Sequence, residues 1–332
     1  MDNPQLELIR LMTRKPTVLV TRKLPKAVET RLAQNYTPRF NEADKLYTPE
    51  ELLIKATGAD ALLITPRDQL TADVIEKLPD SIRAIATFSV GYDHIDLEAT
   101  RKRGLLVTHT PDVLTDATAD LTLLLLLGAA RRASEGEKMM REGTWEGIRP
   151  TELLGVQLTG KQLGILGMGR IGQAVARRAQ AFDLEIHYCN RKRLPPEVEA
   201  GAIFHSNPDD LLPESDFFSL HCPATPETVN FLNAQRIALL PDGAIVINAA
   251  RGSLVNDDDL IAALKSGKIA AAGLDVYNGE PNIHPTYRTL PNTFLLPHIG
   301  SATTETRTQM GMVALDNLDA IFSDKKPPNL LQ

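Results

Sequence analysis

Short, almost wholly apolar runs alternate with amphipathic stretches along most of this chain. Thr17-Val18-Leu19-Val20-Thr21, Ala61–Ile64, Ala84–Thr87 and Leu105-Leu106-Val107-Thr108 read as buried strands. Residues 26–34, 49–57 and 71–78 between them carry helical periodicity. Strands alternating with helices predict a parallel sheet built from crossover units, so the first half reads as a compact α/β domain of its own. The first dozen residues read as a loose extension, with Met12 as an alternative start.

The rhythm changes at Thr115. Residues 116–141 are predicted to form one long helix, capped by Asp116 or Thr115 and closed before Gly143. Its run Leu123-Leu124-Leu125-Leu126-Leu127 is apolar on every face, so burial all round is expected, either inside the protein or against a second subunit. A subunit contact, giving a homodimer, is the favoured reading because symmetric dimers are common. A second α/β rhythm follows, with strands at Gln162–Leu166, 185–188, Phe217–Leu220, 244–247, 271–274 and 294–296 and a helix over 170–181. The last helical stretch, 305–322, has no strand after it and is expected to pack back on the first domain.

With 332 residues, two domains of ordinary size are expected. The chain is 43% apolar and 23% charged, as in soluble globular proteins, and its net charge of −6 gives no field that favours nucleic acid. Two cysteines, Cys189 and Cys222, make no disulfide framework and suit a reducing compartment. The N-terminus lacks a basic region followed by a long apolar stretch, and the most apolar run, 121–130, is about half the ~20 residues that span a bilayer. A cytoplasmic protein without a membrane partner is expected. The histidines lack paired ligand spacing, so no metal site is expected either.

Gly167-Met168-Gly169-Arg170-Ile171-Gly172 fits G-x-G-x-x-G, follows a strand and opens a helix, which is the context that makes the pattern informative. The first glycine permits the turn, the second lets backbone approach a pyrophosphate, and the third lets helix pack on strand. Backbone N–H groups at the helix start then face the phosphates. The next strand should end on an acidic residue if the cofactor is NAD, because a carboxylate accepts from the ribose 2′-OH. The chain has Asn190-Arg191-Lys192-Arg193 instead, and Arg191 and Arg193 suit a 2′-phosphate, so NADPH is expected to be preferred with NADH as the alternative.

Three polar residues each follow an apolar strand: Arg251 after Ile247-Asn248-Ala249-Ala250, Glu280 after Gly273-Leu274-Asp275-Val276-Tyr277, and His298 after Phe294-Leu295-Leu296-Pro297. Ligands of open α/β sheets bind outside the carboxyl ends of strands, so all three can face one crevice. Hydride delivery to a carbonyl carbon builds charge on oxygen, which needs a proton donor and a cation. Histidine suits the first task, a neighbouring carboxylate orients it, and an arginine fork suits a substrate carboxylate.

On these segments, together with Ser89-Val90-Gly91-Tyr92-Asp93-His94-Ile95-Asp96 and Pro297-His298-Ile299-Gly300-Ser301-Ala302-Thr303, the chain resembles the D-isomer-specific 2-hydroxyacid dehydrogenase family over nearly its whole length. Residues 128–138 and Gly279-Glu280-Pro281-Asn282-Ile283 are similar to its glycerate dehydrogenase (hydroxypyruvate reductase) and glyoxylate reductase branch.

The resemblance implies two Rossmann-like, doubly wound parallel-sheet domains with an active-site cleft between them. The dinucleotide domain, 113–300, would be inserted into a substrate domain made of 1–112 and 301–332. It implies that Arg251 binds substrate, Glu280 pairs with His298, and His298 is the acid/base. Ser89, Val90 and Gly91 would contact the substrate carboxylate, through backbone N–H groups at Val90 and Gly91. Thr118 and Asp275 would line the nicotinamide, the His221-Cys222-Pro223 loop would lie under the adenine ribose, and Ala249, Ala250 and Gly300 would also contact the cofactor. Relatives are usually dimers built on the helix matching 116–141, and Trp145 falls where some bring an aromatic residue into the partner's site.

The expected function is therefore NADPH-dependent reduction of glyoxylate and hydroxypyruvate to glycolate and D-glycerate. Another small acid (D-lactate, a sugar-derived 2-oxo acid, phosphite) is the alternative on the same fold, and a dinucleotide-sensing binding protein is the alternative of another class.

Overall fold

The computed structural model describes residues 14–331 and divides into two compact units. One runs up to Leu114 and resumes at Thr303; the other is Thr115–Ala302. The proposed N-terminal extension and start at Met12 lie outside the described residues.

In chain order, the first unit opens with β1 (Thr17–Val20), α1 (Lys26–Asn35), β2 (Thr37–Arg39), α2 (Pro49–Ala56), β3 (Ala61–Ile64), α3 (Ala72–Lys77), β4 (Ala84–Thr87), α4 (Leu97–Lys102) and β5 (Leu106–Thr108). β1, β3 and β4 are buried at every position, which is why they lack polar alternation and read as continuous apolar runs. Capping fixes the helix starts between them: Thr48 and Glu51 form a reciprocal capping box, and Asp96 accepts from Ala99 N–H at 2.9 Å.

The second unit contains α5 (Thr115–Ala130), α6 (Ala133–Glu142), β6 (Gln162–Leu166), α7 (Arg170–Gln180), β7 (Glu185–Cys189), α8 (Pro196–Glu199), β8 (Ile203–His205), α9 (Pro208–Leu211), β9 (Phe217–Leu220), α10 (Ala234–Leu239), β10 (Ala244–Asn248), α11 (Asp257–Ser266), β11 (Ile269–Leu274) and β12 (Thr293–Leu295). Its sheet has the order β12-β11-β10-β9-β6-β7-β8 and every pairing is parallel. Strand order reverses between β6 and β9, so the carboxyl ends of these two strands mark the topological switch point, where such sheets bind ligands.

The chain then returns to the first unit with α12 (Thr304–Phe322) and β13 (Leu330–Leu331). Ala314, Leu315, Leu318 and Ile321 of α12 join the core of Val18, Val20, Val28 and Leu32. This sheet has the order β13-β5-β4-β3-β1-β2, parallel except for β13, which pairs antiparallel with β5. Both units are thus Rossmann-like doubly wound sheets.

Two expectations are corrected. Residues 116–141 are not one helix: α5 and α6 are separated by Arg131 and by Arg132, a left-handed residue at φ +53°. Val156 N–H takes the Ala130 carbonyl at 2.8 Å, a carbonyl that a continuous helix would need for its own ladder. Leu123, Leu125 and Leu126 of α5 are buried in the unit's core, whereas Leu124 is 47% exposed. The closing helix also does have a strand after it, β13, which is too short to show as a pattern.

Candidate active site

The switch point is built from backbone. Gly167 follows β6 at φ +95°, the left-handed region, and a Cβ there would lie 2.6 Å from the Cys222 nitrogen. The His221–Pro223 loop after β9 therefore runs against the glycine turn, and His221 N–H donates to the Leu166 carbonyl at 2.8 Å. At Gly169 a Cβ would meet nothing within 4 Å, while at Gly172 it would sit 2.6 Å from the Gly167 carbonyl oxygen. The three glycines thus permit a turn, leave open space, and allow close helix packing. Gly169 caps α7 without a side-chain bond, so the helix start presents N–H groups toward that open space. A dinucleotide pyrophosphate fits this cradle.

Asn190, after β7, braces the loop. Its Oδ1 accepts from Met168 N–H at 2.7 Å and its Nδ2 donates to the Met168 carbonyl at 3.3 Å. Arg191 and Lys192 are exposed. Arg193, expected to serve the same cofactor end, is joined to Glu199 by Nε–Oε1 and Nη2–Oε2 contacts of 2.8 and 3.0 Å.

Burial pushes the Cys222 thiol up to about 11 and raises Cys189 as well, so both are neutral thiols packed near the turn. Burial also pushes His221 down to about 4; its Nε2 lies 2.8 Å from Ser219 Oγ. The unfolded chain therefore binds a proton in this pH range that the native state refuses. Stability is expected to fall as pH drops from about 6.5 toward about 4, and His221→Gln should flatten urea melts across that window.

Arg251 follows β10 on a braced loop. Asn248 Oδ1 accepts from Ala250 N–H at 3.0 Å, and Asn248 Nδ2 donates to the Arg251 carbonyl at 2.8 Å. The next residue, Gly252, passes so close to the Tyr277–Asn278 peptide that a Cβ would lie 1.9 Å from the Tyr277 carbonyl carbon. The Arg251 loop and the loop leading to Glu280 are therefore in backbone contact.

Glu280 Oε1 accepts from Tyr277 N–H at 2.8 Å, and its Oε2 lies 2.7 Å from His298 Nδ1. A carboxylate only accepts, so Nδ1 carries the hydrogen and Nε2 is the atom that gains or gives up a proton. Glu280 is mostly covered and the His298 ring is about half exposed. His298 adopts φ +54°. The buried Asp275 fixes the chain just beyond it, accepting from Ile299 N–H and Gly300 N–H at 2.8 Å each. Burial raises the Asp275 carboxyl above the ordinary range, opposed by the Ile299 N–H, the His298 charge and the Gly300 N–H. Thr118 Oγ1 donates to the Gly300 carbonyl at 3.3 Å, so Thr118, Asp275 and Gly300 form one cluster.

In the first unit, Ser89, Val90 and Gly91 form the loop after β4. Ser89 Oγ donates to the Gly91 carbonyl at 2.6 Å, and His109 Nδ1 lies 2.9 Å from the Val90 carbonyl oxygen. Thr87 Oγ1 bridges Ser89 Oγ and His94 Nε2 at 2.7 and 2.9 Å.

The bracing residues Asn248, Gly252 and Glu199 were not singled out from the sequence. Only Gly252 had a usable signal there, as a glycine next to a candidate arginine. Among the described residues no cluster of three or more His, Cys, Asp or Glu groups suits a metal ion, and no helix is long and apolar enough to cross a membrane.

Residues 123–300 match the family model described as D-isomer specific 2-hydroxyacid dehydrogenase, NAD binding domain. The chain is 48% identical over 310 residues to the glycerate dehydrogenase of Hyphomicrobium methylovorum, covering 93% of this chain and 96% of that one. It is 42% identical over 322 residues to the glyoxylate reductase of Thermococcus onnurineus, covering 96% of each. The crystal structure of an NADPH-dependent glyoxylate/hydroxypyruvate reductase from Sinorhizobium meliloti, in complex with NADP and malonate, superposes with a TM-score of 0.86. That match has 32% identity and covers 96% of this chain and 97% of that one.

Proposed function

Because the chain belongs to the D-isomer specific 2-hydroxyacid dehydrogenase family, we propose that it reduces glyoxylate and hydroxypyruvate, to glycolate and D-glycerate, with NADPH preferred and His298 as proton donor. The observation that carries this reading is the 2.7 Å His298–Glu280 pair on the unit that holds the glycine cradle. The cradle of Gly167, Gly169 and the start of α7 would hold a nicotinamide dinucleotide, which when bound supplies the hydride.

The protein's own groups do the rest. Glu280 fixes the His298 ring through Nδ1, leaving the Nε2 proton for the oxygen that gains charge. Arg251, held by Asn248, offers a fork to the substrate carboxylate. Asp275 keeps the backbone after His298 in place through Ile299 and Gly300. Arg191, exposed beside the braced Asn190, supports the NADPH preference, since the position lacks the carboxylate that would repel a 2′-phosphate. A homodimer through α5 and α6 belongs to the same reading, supported by exposed Leu124, Met140, Trp145, Ile148 and Leu154 on and after these helices.

An initial-rate panel that crosses NADPH and NADH with several small 2-oxo acids tests the proposal. Glyoxylate and hydroxypyruvate with NADPH should give the highest kcat/KM. Silence with every 2-oxo acid and both cofactors would overturn it.

A further inference from the structure

The two arginines after β7 stand differently toward the protein. Arg191 is exposed. Arg193 is held fork to fork, with Nε 2.8 Å from Glu199 Oε1 and Nη2 3.0 Å from Oε2, and its guanidinium lies 6.0 Å from the Phe204 ring centre. The Glu199 side chain is only 6% exposed. Its Oε1 also accepts from the Tyr188 hydroxyl, whose oxygen takes the Leu194 N–H at 3.0 Å. The cluster thus pins both ends of the segment from Arg193 to Glu199. Turning Arg193 toward another anion would leave the covered Glu199 carboxylate with a phenol as its remaining partner, which is unfavourable.

We propose that Glu199 is a specificity-determining positioning residue that withholds Arg193 from the cofactor. Discrimination in favour of a 2′-phosphate then falls to Arg191, and neutralising one cation of the loop keeps NADH usable. This rests on the reading that the loop after β7 faces the adenosine ribose.

The test compares kcat/KM for NADPH and NADH in the wild type, R191A, R193A, E199Q and E199Q/R193A, with calorimetric titration of 2′,5′-ADP and 5′-AMP on each. Glutamine keeps the size of Glu199 and an acceptor for Tyr188. E199Q should raise the NADPH:NADH ratio and the preference for 2′,5′-ADP by about tenfold, the size of one charge-assisted contact. Adding R193A should abolish that gain, and R193A alone should leave the ratio within about twofold of wild type.

The inference is overturned if R193A alone lowers the ratio as R191A does, or if E199Q changes both cofactors by the same factor. If E199Q does not fold, R191A and R191A/R193A decide: with Arg193 withheld the two should prefer 2′,5′-ADP over 5′-AMP to the same extent, and a preference that R191A keeps and R191A/R193A loses would show that Arg193 reaches the phosphate. A wild type that prefers NADH would defeat the NADPH reading alone, because E199Q would still shift the ratio.

Discussion

His298→Asn is expected to lower kcat by about 10²–10⁴-fold while leaving dinucleotide affinity within about twofold. Asparagine is chosen for a backbone reason. His298 sits at φ +54°, a region that asparagine tolerates far better than most side chains, so the loop and its bonds from Ile299 and Gly300 to Asp275 should survive. What disappears is the imidazole, whose Nε2 is proposed to hand over a proton while Glu280 holds Nδ1. Steady-state rates with glyoxylate, combined with a fluorescence titration of NADPH, separate the two effects. Unchanged kcat would remove His298 as the acid.

The second large effect is expected at a residue with no side chain. A Cβ on Gly252 would lie 1.9 Å from the Tyr277 carbonyl carbon, 2.2 Å from its oxygen and 2.3 Å from the Asn278 nitrogen. All three are backbone atoms, so no rotamer change relieves the overlap. The opposing strip is itself anchored. Tyr277 N–H donates to Glu280 at 2.8 Å, and Asn278 Nδ2 donates to the Val255 carbonyl at 3.0 Å and to Asp257 at 3.1 Å.

Gly252→Ala should therefore cost about 3 kcal/mol or more and lower Tm by roughly 6–12 °C for a unit of this size. It should also separate the Arg251 loop from the Glu280 loop, so kcat/KM should fall about 100-fold even at temperatures where the variant stays folded. Calorimetry and initial rates on the same preparation check both, and a variant with wild-type Tm would contradict the close approach.

Much of this was readable in the chain because parallel strands buried on both faces must be apolar throughout. Gln162–Leu166 and Phe217–Leu220 appear in the sequence with the bounds they have in the structure. Arg251, Glu280 and His298 stood out because each is a polar residue placed directly after such a run. β2 and β8 were harder: each has three residues at a sheet edge, none of them buried, and so lacks the continuous buried apolar run of the central strands.

The break between α5 and α6 was hidden for a different reason. Arg131 and Arg132 are good helix formers, and what stops the helix is Val156 arriving from more than twenty residues downstream to take the Ala130 carbonyl. Contacts at such separation leave no local mark. The same holds for Asn190 on Met168, a pairing between neighbouring strand ends rather than a feature of either segment, while at Gly252 the glycine shows in the chain but its close approach to Tyr277 does not.

The way the chain threads through the two units also sets an order of assembly. α12 supplies Ala314, Leu315, Leu318 and Ile321 to a core otherwise made by residues before Leu114, and β13 completes the edge of that sheet. During vectorial synthesis these pieces leave the ribosome after every strand of the inserted unit has emerged. The glycine cradle and the His298–Glu280 pair therefore belong to the part that can finish folding first. The strands laid down before the inserted unit must wait for the pieces made after it.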